Sequence, residues 1–226
     1  VELVPGWGRF QDAHRIAVTS SSDAEGNRQT RVLEGERILV AVGGRPWRPE
    51  IPGAELAWVS DDLFELPRFP DSIVIVGAGF IACEFACILN GLGVSVTQLV
   101  RQELLRGFDR ELAQAVQEAM EEEGIDIRLG RHAAAISGSP GDLTVTTEHG
   151  EEIRAEGVLL ATGRRPFLAG LDLGAAGVTV ERHRIPVDAD QRTNVPHIHA
   201  VGDVTDRINL TPVAVDEGLS LIHISE

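Results

Sequence analysis

Residues 72–106 read SIVIVGAGFIACEFACILNGLGVSVTQLVRQELLR, and the order of pieces in this stretch decides the fold. Ile73, Val74, Ile75 and Val76 form a short, continuously apolar, β-branched run, the composition of a parallel strand covered on both faces. Gly77 and Gly79 follow at once, and Ala82 takes a third position suited to close packing. From Phe80 the residues Ile81, Phe85, Ile88, Leu89 and Leu92 recur at helical spacing, with Gly91 and Gly93 closing the segment. VSVTQLV then resumes a strand. The predicted unit is β-α-β.

A glycine turn between strand and helix lets the backbone approach a pyrophosphate, and the helix start offers unpaired N–H groups and a positive dipole end. The fingerprint is weak alone; between a predicted strand and a predicted helix it defines a dinucleotide site. An NAD site would place an acid at the end of the second strand, about 20 residues past the glycines, for the ribose 2′-hydroxyl. This chain has Val100, Arg101 and then Arg106. Two guanidinium groups suit a 2′-phosphate, which a carboxylate would repel. At about 1.5 to 3 kcal/mol per charge-assisted contact, the pair favours NADPH over NADH by roughly 100-fold or more. The alternative is a pair of solvated surface arginines.

Composition sets the outer limits. The 226 residues can bury a good core as one large domain or two small ones. A formal charge of -15 without a basic stripe argues against nucleic acid. No apolar stretch reaches the roughly 18 residues that span a bilayer, and no charged and apolar leader opens the chain; a cytoplasmic protein without membrane contact is expected. The two cysteines, Cys83 and Cys87, lie four apart on the predicted helix. Adjacent helical turns suit disulfide geometry poorly, so a structural role is expected. His197 and His199 could share a strand face but have no third metal ligand nearby in sequence, and no metal site is predicted.

Outside the β-α-β unit, residues 1–43 read as a meander, with SSSDAEGNRQT as a polar turn between IAV and VLEGERILVAVGG. PWRPEIPG follows the apolar run Ile38 to Val42, and a boundary is expected near Pro70. Asp109 can cap a helix through Met120, with Leu112, Val116 and Met120 on one face and Gly124 as the stop. IDIRL is the next strand, LTVTTEHGEEIRA a hairpin about His149-Gly150, and GVLLATG repeats the strand-to-glycine ending of residues 38–44. The repetition predicts two strands leaving a sheet toward a ligand at their carboxyl ends.

The motifs GAGFIACE at 77–84, Arg101 and Arg106 followed by GFD at 107–109, ATGRRP at 161–166 and AVGDVTDRINLTPVA at 200–214 stand in one order. By these the chain resembles the glutathione reductase branch of the flavin-dependent pyridine nucleotide-disulfide oxidoreductases, over residues 1 to about 218. The resemblance implies a dimeric enzyme in which NADPH reduces FAD, FAD reduces a cysteine pair, and that pair reduces oxidised glutathione. It implies that Gly77, Ala78, Gly79 and Ile81 cradle the NADPH pyrophosphate and that Arg101 and Arg106 hold its 2′-phosphate. Phe80 would cover the nicotinamide pocket in place of the usual tyrosine, Glu84 would lie near the flavin and nicotinamide rings, and Gly163 and Arg164 would close the NADPH pocket. For FAD, Asp203 would bind the ribityl chain, Leu210, Thr211 and Pro212 would start a helix near the flavin, Gly8 would allow approach to the adenine, and Gly43 would end a strand beside it.

The chain also departs from that pattern. Val42 replaces a threonine, and the spacing from Arg101 to Arg106 is one residue short. An N-terminal glycine fingerprint for FAD, a redox CxxxxC and a C-terminal interface domain with a catalytic histidine and glutamate are missing from the sequence, so no catalytic residue is assigned. LSLIHISE at 219–226 breaks from the pattern and resembles a translated sequencing adapter. The expected organisation is α/β: a Rossmann-like NADPH-binding domain (69–163) inserted in a partial FAD-binding domain with a β-meander (1–68 and 164–218), a non-native tail (219–226), and truncation at both ends. Rival readings are lipoamide dehydrogenase, mercuric reductase, a flavoprotein transhydrogenase, or a non-catalytic dinucleotide-binding module.

Overall fold

The computed structural model describes residues 1–22 and 26–224, with side chains through residue 221. Asp23, Ala24 and Glu25 of the expected polar turn, and Ser225 and Glu226 of the expected tail, lie outside the described residues. The chain divides into two compact units, one of residues 1–45 and 165–226 and the other of residues 46–164.

The first unit opens as the predicted meander. Strands β1 (Trp7–Phe10), β2 (Arg15–Thr19) and β3 (Thr30–Glu34) pair antiparallel in that order. β4 (Ile38–Val40) ends two residues before Val42, and β5 (Gly44–Pro46) leads out of the unit.

The second unit begins at Pro46, well ahead of the boundary expected near Pro70. The reason is packing: Ala54 and Ala57 are buried beside Val74, Val158 and Leu160, and a short helix, α1 (Ser60–Leu63), buries Leu63 beside Ile73 and Leu159. Trp58 N–H donates to Val158 O at 2.8 Å. Then come β6 (Ser72–Val76), α2 (Phe80–Gly91), β7 (Ser95–Val100), α3 (Arg110–Glu122) and β8 (Asp126–Leu129). β9 (Ala133–Ser139), β10 (Asp142–Thr147), β11 (Glu152–Ala155) and β12 (Gly157–Leu160) follow, and the chain passes back into the first unit within β13 (Arg164–Pro166).

β12, β6, β7 and β8 form one parallel sheet in that spatial order. Ile73 and Ile75 pack on the α2 side, and Val74 and Val76 pack with Ile136, Leu143, Val145 and Ile153 of the antiparallel sheet β11-β10-β9 on the other. Covering both faces explains the unbroken apolar run; each such side chain contributes about 1.5 to 3 kcal/mol by burial. The sequence reading missed β9, whose partner β10 it read as one arm of a two-stranded hairpin.

Helix α2 presents a different face from the one its large residues suggested. Ala82, Cys83, Ala86 and Leu89 are buried, whereas Ile88 and Leu92 are exposed. Small residues let the helix lie close on the sheet, and that contact outranks side-chain bulk. In α3 only Met120 of the predicted trio is buried; Leu112 and Val116 are exposed. Asp109 caps α3 as predicted, its Oδ1 accepting the amides of Glu111 and Leu112 at 3.0 and 3.1 Å. Asp109→Ala is expected to cost about 1 kcal/mol, measurable as a lower urea midpoint.

The chain returns to the first unit through a short 3-10 turn (Leu173–Ala176), β14 (Ile198–Ala200), a second 3-10 turn (Gly202–Thr205) and α4 (Thr211–Ile224). β14 pairs parallel with β4, and Phe10, Ile38, Val40, Ile185, Ile198 and Val204 share this unit's core. The two strand-to-glycine endings therefore belong to different sheets, β4 to a two-stranded pair and β12 to the four-stranded sheet, not to one sheet as the repetition suggested. Residues 219–224 continue α4.

Candidate functional site

At the carboxyl end of β6 the chain turns under a tight constraint. Gly77 has φ of 152°, and a Cβ there would lie 2.3 Å from the carbonyl oxygen of Ala161. Only glycine fits this meeting of β6 with the end of β12. Ala161 N–H donates to Val76 O at 2.9 Å, and Gly77 N–H to Leu99 O at 3.1 Å, so the exits of β12, β6 and β7 lie side by side.

Gly79 is the N-cap of α2 and supplies no capping side chain; a Cβ on it would meet no atom within 4 Å. The first helical bond runs from Cys83 N–H to Gly79 O at 3.1 Å, and among the described residues no protein acceptor meets the amides of Ala78 through Ala82. A row of open donors at a helix start, with no side chain above the turn, is suited to a pyrophosphate. Phe80 is exposed, Ile81 half-buried and Glu84 exposed on this helix.

The loop after β7 closes back on this turn. Leu105 N–H donates to Ala78 O at 2.7 Å from a left-handed backbone (φ 51°), and Gly107 two residues on also has positive φ (98°). Arg106, next in the chain, is thereby placed beside the glycine turn despite the shortened spacing. Arg101 is exposed with no ion-pair partner among the described residues, and Arg106 approaches only Gln102 Oε1, at 3.5 Å. Gly163 accepts Trp47 N–H at 2.9 Å, and Arg164 stands 3.8 Å from Asp61. Both follow Ala161, the residue that meets Gly77, by two and three positions along the chain.

In the first unit, Asp203 stands in the 3-10 turn after β14, and a Cβ on Gly44 would lie 3.2 Å from its Oδ2. Gly43 accepts Phe167 N–H at 2.9 Å, and Val201 N–H donates to Val40 O at 3.1 Å, so the end of β4 and the Asp203 turn are neighbours. Leu210 O accepts Ala214 N–H at 3.0 Å, starting α4 with Thr211 and Pro212, all three exposed. Gly8 lies mid-strand in β1 opposite Val18 and tolerates a Cβ at 3.4 Å from Ile16, so its backbone does not demand glycine.

Two residues that sequence reasoning passed over support these turns. Gln98, fully buried in β7, donates Nε2–H to Gly77 O at 3.0 Å; a lone amide in the run VSVTQLV was its signal. Glu217, buried on α4, accepts Gly202 N–H at 3.1 Å and pairs with Arg207 at 2.9 Å, fixing the turn before Asp203. An acid in AVDEG carried no comparable signal.

The cysteines stand apart from this chemistry. Both are free, and burial pushes the Cys83 and Cys87 thiols up, away from the reactive thiolate. His197 stacks on His14 with centroids 4.0 Å apart and bonds Ala13 O at 2.8 Å. Burial lowers the pKa of His199, with Arg192 adding to the effect. No metal-holding group of histidine, cysteine and carboxylate side chains occurs among the described residues.

Parallel sheet, glycine turn, open helix amides and arginine loop together define a dinucleotide-binding α/β protein. Residues 1–218 match the family described as pyridine nucleotide-disulphide oxidoreductase, and the chain belongs to that family. It is 42% identical to a glutathione reductase of Burkholderia cepacia over 220 residues, 96% of this chain and 47% of that protein. It is 40% identical to a mitochondrial thioredoxin reductase 2 of Drosophila melanogaster, over 96% of this chain and 43% of that one. The HOCl-induced flavoprotein disulfide reductase RclA of Escherichia coli superposes with a TM-score of 0.86 at 28% identity, covering 96% of this chain and 48% of RclA. The chain thus spans about half the length of the relatives it matches.

Proposed function

We propose that this chain supplies the NADPH site, and part of the FAD site, of a flavoprotein that reduces oxidised glutathione. The observation that carries the reading is the bond from Leu105 to Ala78, which sets the arginine loop against the open amides of the glycine turn. Gly77, Ala78, Gly79 and Ile81 would hold the pyrophosphate by backbone N–H groups, and Arg101 and Arg106 would grip the 2′-phosphate. Phe80 and Glu84, on the first turns of α2, would border the nicotinamide, and Gly163 and Arg164 the far wall of that pocket. Asp203, braced by Glu217, would bind the ribityl hydroxyls of FAD, with Gly43 and the Leu210–Thr211–Pro212 helix start beside it and Gly8 toward the adenine. When bound, NADPH would supply a hydride and FAD would accept it.

Glutathione disulfide as substrate is supported by the resemblance at INLTPVA and the arginine pair; a homodimeric assembly of the whole protein is what the family resemblance implies. The thioredoxin reductase relative sets the competing substrate. A cytoplasmic location of the whole protein is part of the proposal. No helix among the described residues is long and apolar enough to cross a membrane.

Calorimetric titration of the chain with NADP and then NAD at fixed low ionic strength tests the reading, because the contacts are ionic. NADP is expected to bind roughly 100-fold tighter. Equal affinities would overturn the arginine assignment, and binding of neither would overturn the site. In the whole protein, NADPH oxidation driven by oxidised glutathione rather than oxidised thioredoxin decides the substrate.

A further inference from the structure

β7 ends at the arginine loop, and its buried residues are Val96, Gln98, Leu99 and Val100. A fully buried glutamine in such a strand needs a reason, since leucine or methionine would fill the space without burying an amide. Half of that amide is unpaired: Gln98 Oε1 has no partner among the described residues, while Nε2–H donates to Gly77 O at 3.0 Å and approaches Cys83 Sγ at 3.9 Å. Only the NH2 end can face a carbonyl, so the orientation is set by chemistry.

Glycine at 77 and 79 leaves the intervening peptide planes free to rotate. Two tethers remove that freedom, one from Gln98 to the Gly77 carbonyl and one from Leu105 N–H to the Ala78 carbonyl. Peptide bonds among the described residues are trans, and in a trans unit C=O and N–H point in opposite directions. A Gly77 carbonyl held on Gln98 therefore turns the Ala78 N–H away from β7, and that N–H has no protein acceptor among the described residues.

On the reading that this turn takes a dinucleotide, we propose that Gln98 is a positioning residue, aiming the Ala78 N–H at the pyrophosphate from the buried strand β7. The tether acts on the pyrophosphate alone. It leaves the 2′-phosphate to Arg101 and Arg106, so its loss weakens NADP and NAD alike and spares a ligand that has only the 2′-phosphate.

The test is calorimetry on the whole chain and its Gln98→Met variant with three probes: NADP, NAD and 2′-AMP. Gln98→Met is expected to weaken NADP and NAD each by about 10-fold while 2′-AMP changes less than about twofold. Gln98→Glu gives a second readout. A glutamic acid can donate to the Gly77 carbonyl only when protonated, so NAD binding by this variant is expected to recover as pH falls, against a flat parent profile; NAD is the probe because the 2′-phosphate of NADP itself titrates at about pH 6. NADP binding unchanged in Gln98→Met, or equal loss of NADP and 2′-AMP, overturns the role of Gln98 while leaving the dinucleotide site in place. Should Gln98→Met fail to fold, a Gln98→Glu profile without recovery overturns it equally. A parent chain that binds none of the three overturns the dinucleotide reading and this inference with it.

Discussion

Gly77→Ala is expected to lower stability by about 3 kcal/mol or more and to abolish measurable NADP binding. The new methyl would sit 2.3 Å from Ala161 O on a backbone with φ of 152°. Neither partner can yield cheaply, because Ala161 N–H is bonded to Val76 O and Gly77 N–H to Leu99 O. Relief would require separating β12 from β6, two paired and buried strands of the parallel sheet. Thermal unfolding should register the change as a shift of about 10 °C. Gly79→Ala is the matched control. Its φ of -81° is ordinary and its Cβ meets nothing within 4 Å, so stability should stay within about 0.5 kcal/mol. Its methyl would nevertheless project where the pyrophosphate must approach, and NADP affinity should fall. An unshifted melting curve for Gly77→Ala would refute the close strand contact; a Gly79→Ala chain that binds NADP normally would refute the approach over the helix start.

Arg101→Glu is expected to weaken NADP by more than about 100-fold while changing NAD by only a few fold. The substitution removes a charge-assisted contact of about 1.5 to 3 kcal/mol and puts a carboxylate against the 2′-phosphate. Arg101 is exposed and makes no ion pair among the described residues, so the variant should fold as the parent does. Binding isotherms with both cofactors, at two salt concentrations, check the result: the parent's NADP preference should shrink with added salt, and the variant should have no preference left to screen. Parallel losses for NADP and NAD would place Arg101 on the shared pyrophosphate instead.

Much of this site is legible in the sequence because its information is local. The run Ile73–Val76, the glycines at 77 and 79 and the Asp109 cap each specify their own backbone within a few residues. What escaped is what depends on distant partners. The buried face of α2 is set by how near the helix lies to the sheet, which favours Ala82 and Ala86 over the bulkier Ile88 and Leu92. The segment from Pro46 reads as irregular because its prolines break pattern, yet it anchors through Ala54, Ala57 and Trp58 to strands far along the chain. Leu105 and Glu217 act by single bonds to Ala78 and Gly202, and no periodicity announces such a bond. The repeated strand-to-glycine endings were real as local features, but shared local form does not imply a shared sheet.

The hydrogen bond between Trp47 N and Gly163 O joins the two ends of the second unit, one residue inside each, into a clasp. To the host chain, a long insertion with clasped ends behaves as a short loop, and it adds little closure entropy to the host's own folding. The same clasp suits the unit to genetic excision: expressed from 46 to 164, it would retain its parallel sheet, its glycine turn and its arginine loop, with both termini emerging at one point.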